Sequence, residues 1–408
     1  MKRLLLGLSL VSVPGAALNG LRPIGVSAAS RALGGTGVAS YHNVYEAIYK
    51  NPSLMGQSDL SYGEMEATFG MTYGSFTPRV KATYGDDQEY KKPQGASSAV
   101  FPSGMGLGQK YSESLSWGLG FYGGGGGADY SEAQSVYRAK SRTIAYTLAP
   151  GMSWNFNNGW SFGANVSISS VDTYASNESI TKGTMVDTGG QDITFGSLWG
   201  LSYQDGSFSF GAIFQPKQVA FLEDARDIDE DGYDDNLLFA AVPTEIAIGA
   251  SWKDRRWQLG ADYRFLQWSD ADFLSSVGWK DQHVLALGYQ YGVNHGIRLG
   301  ANISTDAVTD NFGEDGFGTS TVSDKPMINL AGDAFTSTSA LGVTSRHYTM
   351  GSFHRISEDL KIESGLVYMD TGSLERAGSY KVPTGTKIYG WRSEFTAYTV
   401  QVEASYQW

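Results

Sequence analysis

WSFGANVSIS, Trp160 to Ser169, decides the fold. Trp160, Phe162, Ala164, Val166 and Ile168 fall on one face of an extended chain, and Ser161, Gly163, Asn165, Ser167 and Ser169 on the other. Successive side chains of a strand point to opposite faces, so this alternation marks a strand with one apolar and one polar side. WQLGADYRF repeats it from Trp257 to Phe265, HVLALGYQY from His283 to Tyr291, and GIRLGANIS from Gly296 to Ser304. The last strand, AYTVQVEASYQW, puts Tyr398, Val400, Val402, Ala404, Tyr406 and Trp408 on one face.

The pattern recurs from about residue 59 to the end and predicts about fourteen strands. They fall near 59–73, 97–109, 115–123, 138–154, 159–174, 192–204, 207–215, 243–253, 256–266, 281–291, 296–303, 345–356, 360–370 and 394–408. Short connections such as Asp205-Gly206 and Asn294-His295-Gly296 carry the residues that tolerate tight hairpins. They alternate with long ones near 176–191, 217–242, 267–280, 304–344 and 371–393. An even strand count, short turns at one end and long loops at the other predict a transmembrane antiparallel β-barrel. Such a sheet must close, because an open edge in lipid leaves backbone groups unpaired. A large soluble sandwich or propeller is the alternative. No blade-like repeat supports it, and the apolar face carries Trp and Tyr at strand ends, as an interfacial girdle requires.

Composition narrows the function. The 408 residues include 52 Gly and 24 Tyr, no Cys, and a net charge of −12. No thiol means no disulfide framework and no thiolate metal site. An acidic chain without a basic run is a poor nucleic-acid partner. Lys2-Arg3, the apolar run Leu4 to Val13 and Gly15-Ala16-Ala17 read as a signal peptide over residues 1–17, and so as export.

RALGGTGVASYHNVYEAIYKNPSLM, Arg31 to Met55, opens on Gly34, Gly35 and Gly37. A dinucleotide fingerprint needs a strand before it and a βαβ unit after it, and neither is present. The segment instead resembles the N-terminal hatch of the FadL family of outer-membrane transporters for hydrophobic compounds. That family has a Gly-rich stretch, a short helix, then Asn-Pro-Ala and an apolar residue. Here the match is Gly34, Gly35, Gly37, then Asn51-Pro52 and Leu54, with Ser53 in place of Ala. TLAPGMSWNFNNGWSFGANVSI and VPTEIAIGASWKDRRWQLGADYRFLQWSD resemble family strand pairs, and Trp268-Ser269 a recurrent strand end.

The resemblance implies a hatch over residues 18–58, with a short helix, plugging a barrel of 59–408. It implies passive uptake of long-chain fatty acids or aromatic hydrocarbons, not catalysis, by a monomer in contact with outer-membrane lipid and lipopolysaccharide. The family's substrate leaves through a wall gap at a kinked third strand. Its counterpart here is Gly123, Gly124, Gly125, Gly126 and Gly127; glycine within a strand marks a bulge or bend, and a loop tip is the other reading. A porin-like or adhesin-like barrel, whose long loops bind polar solutes or surface partners, is the competing function.

Three further features stand out. DIDEDGYDDN places Asp227, Asp229, Asp231 and Asp235 at positions 1, 3, 5 and 9 of a Ca²⁺ loop, with the Tyr233 carbonyl at 7. Hard cations take such oxygen ligands, but position 12 is Leu238, and a solvated acidic loop is the alternative. Glu245, Asp262, Arg264, Arg298, Glu363 and Glu403 lie on the polar strand face, predicting a lumenal network that holds the hatch; Arg264 or Arg298 would alternatively meet a substrate carboxylate. GWSFG, Gly159 to Gly163, matches the nucleophile-elbow string but enters a strand rather than a strand-to-helix turn.

Overall fold

The computed structural model describes residues 18–19, 22–84, 88–89, 97–129, 137–156, 158–179, 185–226, 235–271, 275, 279–307, 346–382 and 385–408. Fourteen long strands form one antiparallel sheet: β1 Met65–Tyr84, β2 Ser97–Lys110, β3 Leu115–Asp129, β4 Tyr137–Asn155, β5 Trp160–Ser179, β6 Met185–Asp205 and β7 Phe208–Gln215. They continue as β8 Thr244–Lys253, β9 Trp257–Gln267, β10 Gln282–Gly292, β11 His295–Ser304, β12 Arg346–Arg355, β13 Leu360–Val382 and β14 Gly385–Gln407. Each pairs with its sequence neighbour, and β14 pairs with β1 from Gln407–Glu66 to Tyr389–Tyr84, closing the barrel.

Every expected strand is present, and several are longer than expected. Residues 371–393, read as a loop, belong to a hairpin in which β13 and β14 stay paired to Val382–Gly385, past a register shift between Asp370 and Ser373. Most of 176–191 is likewise strand, since β5 and β6 pair as far as Glu178–Met185. The connection 217–242 holds a ribbon, Gln218–Arg226 against Asp235–Val242. It lies along the inner face of β6, where Thr194 Oγ1 donates to the Val219 carbonyl at 2.6 Å. The first strand begins at Met65 rather than near 59, because Ser61–Glu64 form a turn fixed by Ser61 N donating to Glu64 Oε2 at 2.7 Å.

The outer face is apolar. Phe195, Ile248, Leu285, Ile297 and Val402 project outward and are exposed, while Ser167, Thr194, Asp262, Arg298 and Glu403 face inward and are buried. Trp154, Trp160, Trp257, Tyr291, Tyr406 and Trp408 crowd the short-turn rim, and Tyr73, Tyr263, Tyr348, Tyr368 and Tyr398 lie nearer the other end. Tyr398 and Trp408 stand ten positions apart. That is about 33 Å of strand, or about 25 Å of height at a tilt of about 40°, the height of the apolar band of a membrane barrel. In barrels of this kind the short turns face the periplasm and the long connections the exterior.

Candidate functional site: the hatch and the β2–β3 seam

The interior is filled by the N-terminal segment. It contains α1, Ala28–Ala32, and α2, Val44–Lys50, followed by a 3₁₀ turn, Pro52–Gln57. Ser27 caps α1 by accepting from Ser30 N at 3.0 Å, and Asn43 caps α2 by accepting from Glu46 N at 2.8 Å. The glycine run leaves α1 with positive φ at Gly34 (70°) and Gly35 (89°). A Cβ at Gly34 would meet the Ala301 carbonyl, and one at Gly35 the Ile24 carbonyl, each at 2.5 Å. The run is thus a tight turn pressed against β11.

Carboxylates hold this segment by its own backbone. Asp262 Oδ2 accepts from Gly37 N at 2.8 Å and Val38 N at 2.9 Å. Glu403 Oε2 accepts from Ala28 N at 3.1 Å, and its Oε1 from Asn43 Nδ2 at 2.6 Å. Glu66 Oε1 accepts from Val44 N at 2.8 Å, and Glu46 Oε2 from Val26 N and Ser27 N at 3.1 and 2.7 Å. Short, irregular hatch backbone cannot pair its own N–H groups, and carboxyl oxygens supply the acceptors instead. Glu46 and Glu66 were not among the expected network. Glu46 could have been found as the third residue after an Asn cap, where a carboxylate favours a helix start.

Asn51, Pro52 and Ser53 form the lower anchor. Asn51 Oδ1 accepts from Ser53 N at 3.2 Å and Ser53 Oγ at 2.6 Å, while Nδ2 donates to the Val38 carbonyl at 2.7 Å and the Leu201 carbonyl at 3.4 Å. Ser53 Oγ also meets Ser202 Oγ at 2.8 Å. Where Ala would be silent, Ser adds a tie to the wall. Burial lowers the Lys50 ammonium of the hatch to about 8, and Nζ donates to the Ile24 carbonyl at 2.9 Å.

The wall receives the hatch on glycines. Gly106 pairs with Gly120 and Gly108 with Gly118 across β2 and β3. A Cβ at Gly106 would lie 2.7 Å from Tyr45, and one at Gly118 2.7 Å from Ile48. The row continues around the barrel as the pairs Gly163–Gly200, Gly211–Gly249, Gly260–Gly288, Gly288–Gly300 and Gly351–Gly365. Pro52 and Ser53 rest on Gly163, Val38 on Gly211, Leu33 on Gly300 and Ala28 on Gly365. A ring of missing side chains is what lets a plug of this size fit.

Above this level the seam between β2 and β3 changes. Their pairing runs from Lys110–Ser116 to Gly104–Tyr122 and ends there. Beyond it β2 stays paired with β1 to Ser97–Phe76, after a register shift opposite Gly70 and Met71. β3 stays paired with β4 to Asp129–Lys140, so Gly123 to Gly127 lie within a strand rather than at its end. Behind the unpaired stretch stand Tyr45, Tyr49 and Tyr122. Tyr45 OH donates to the Ser103 carbonyl at 2.8 Å, and the Tyr49 and Tyr122 rings meet edge to face at 5.1 Å.

The two arginines occupy different levels. Arg264 Nε donates to Glu245 Oε1 at 2.7 Å, and Arg22 of the hatch pairs with Glu245 Oε2 at 3.2 Å. Arg264 Nη1 and Nη2 find no hydrogen-bond partner among the described residues although Arg264 is buried. Arg298 pairs with Glu363 at 2.6 Å and stacks over the Phe353 ring at 4.6 Å. It lines a cavity of about 320 Å³ at the periplasmic mouth together with His42, Lys253 and Lys361. Burial lowers the His42 imidazole to about 3, so it stays neutral there. Ser161 of GWSFG lies inside β5 with its side chain inward. Asp227, Asp229, Asp231 and Tyr233 lie outside the described residues, as do residues 1–17; Asp235 opens the ribbon's second strand.

A closed barrel of fourteen strands, apolar outside and plugged from its N-terminus, defines a multi-pass outer-membrane protein. Its fold is that of the FadL-type transporters. The crystal structure of a Pseudomonas aeruginosa FadL homologue superposes with a TM-score of 0.73 at 13% identity, covering 95% of this chain and 99% of that one. The P. putida toluene transporter TodX gives 0.60 at 17% identity over 94% and 99% of the two chains. The Ralstonia pickettii toluene transporter TbuX gives 0.58 at 14% identity over 92% and 98%. No protein-family model and no curated protein sequence matches the chain.

Proposed function

We propose that this protein carries hydrophobic small molecules, long-chain fatty acids or aromatic hydrocarbons, passively across the outer membrane and releases them sideways between β2 and β3. The observation that carries the reading is the ladder that stops at Gly104–Tyr122 while both strands keep their outer partners. Backbone left unpaired at that depth is tolerated only where protein or a water-filled space covers it. The hatch supplies that cover through Tyr45 and Tyr49, and its aromatic surface suits an apolar molecule. A plugged lumen argues against free diffusion of polar solutes. The described neighbours include toluene transporters, which supports the substrate class. A lateral exit also has a physical rationale: an apolar molecule returns to hydrocarbon without crossing the aqueous periplasm. A monomer in contact with lipopolysaccharide, with Ca²⁺ held by Asp227, Asp229, Asp231, Tyr233 and Asp235, completes the proposal.

The chain has no cysteine, so a disulfide can be placed across the seam cleanly. Ser103 is the extra residue at the register shift opposite Gly70 and Met71, so the register continued past it would set position 100 opposite 125. V100C with G125C, oxidised, should abolish uptake of labelled oleate and of toluene into liposomes, and reduction should restore it. A261C with L287C, across a fully paired seam, should leave uptake intact. Equal uptake with the β2–β3 seam locked would overturn the lateral route.

A further inference from the structure

The strands β11 and β12 bring together two histidines that the transport path does not use. His295 and His354 are directly opposite in the register. The neighbouring pair carries the ladder bond, Arg355 N donating to the Asn294 carbonyl at 2.7 Å. His295–His354 is therefore a non-hydrogen-bonded pair, the kind whose side chains approach most closely. Both side chains are exposed on the outer face at the periplasmic rim. Their rings lie 5.4 Å apart, and the two Nδ1 atoms face each other at 3.3 Å.

We propose that His295 and His354 bind one divalent transition-metal ion of the Zn²⁺ or Cu²⁺ class. Two imidazole nitrogens on one tetrahedral Zn²⁺, each at about 2.0–2.1 Å, stand about 3.3–3.4 Å apart. The observed separation is that distance, with both lone pairs able to converge on one point. Without a cation the same geometry leaves one nitrogen donating to the other in a long, weak contact, or two protonated rings repelling. Imidazole selects Zn²⁺, Cu²⁺ and Ni²⁺ over Ca²⁺ and Mg²⁺, which prefer oxygen. Water or an interfacial phosphate oxygen would complete the shell. The ion would staple β11 to β12, whose chain connection runs all the way from Ser304 to Arg346. The same seam receives the end of α1, where Thr349 Oγ1 donates to the Ala32 carbonyl and accepts from Gly34 N, both at 2.9 Å.

The test is Zn²⁺ titration calorimetry on full-length protein purified without a polyhistidine tag. One equivalent should bind, unaffected by excess Ca²⁺. Loss of a mere supporting group at a metal site costs about 10–100-fold in affinity, so H295A and H354A should each weaken binding at least tenfold. H283A, at the opposite rim, should not. With Cu²⁺, electron paramagnetic resonance of the wild type should show two nitrogen ligands, a readout independent of whether the variants fold. No Zn²⁺ uptake, or equal uptake by H295A and H354A, would overturn the assignment. Transport could fail its own test without affecting this one.

Discussion

Asp262 concentrates the problem of holding a plug in a barrel. One carboxylate oxygen accepts from two consecutive hatch N–H groups, Gly37 and Val38. Asp262→Ala leaves both donors buried and unpaired, at about 1–3 kcal/mol each. We expect the hatch to loosen while the barrel stays closed. The measurements are single-channel conductance, which should rise, and the heat-modifiable gel shift of the folded barrel, which should persist. Asp262→Asn keeps an acceptor and should lie between. At the other anchor, Asn51→Ala with Pro52→Ala removes the links to Val38 and Leu201. Uptake should change by several-fold with the barrel still folded, and unchanged uptake would count against a gating role for the Asn-Pro pair.

The strands were legible element by element because their two faces meet different solvents. Lipid demands apolar residues at every second position, and WSFGANVSIS or WQLGADYRF obeys. Strand ends were less legible. Past the membrane, β13 and β14 run on to Val382 and Gly385, where no lipid enforces alternation and residues 371–393 lose the pattern. The glycine floor was in view yet unread: Gly163, Gly260, Gly288 and Gly300 each interrupt the polar face of a strand. Only pairing shows that they line up, and only the hatch shows why. The carboxylate clamps were half legible, since inward acids are visible in a strand but their hatch partners, such as Val44 N for Glu66, are not. The floor makes its own prediction. Gly106→Val would drive a side chain into Tyr45, whose Cα lies 2.7 Å from the Cβ position. That should expel α2, expose the hatch to limited proteolysis, and leave the β2–β3 ladder below Gly104 protected in hydrogen exchange.

At the scale of the whole molecule, the barrel exists only because β14 finds β1. Met65 N donates to the Trp408 carbonyl at 2.9 Å, and Trp408 N to the Met65 carbonyl at 3.1 Å. The closing pair continues through Glu403–Gly70 and Gln401–Thr72. Glu403 thus serves closure and plug together, because the strand that seals the wall also holds Ala28 N and Asn43. Closure and plugging are coupled through one strand. Trp408 contributes an exposed aromatic ring stacked on Tyr406 at 5.8 Å, at the membrane interface. Interfacial aromatics anchor a membrane protein's ends. Deleting Trp408 removes one backbone pair of a long ladder, so the folded barrel should lose little stability. Its yield of assembled protein should fall much more, because the interfacial ring holds β14 at the membrane surface while it pairs with β1. Pulse-labelled membranes separated by gel shift measure the two effects apart. Slow assembly with a normal melting temperature supports this division, whereas equal loss of both would make Trp408 a stabilising residue only.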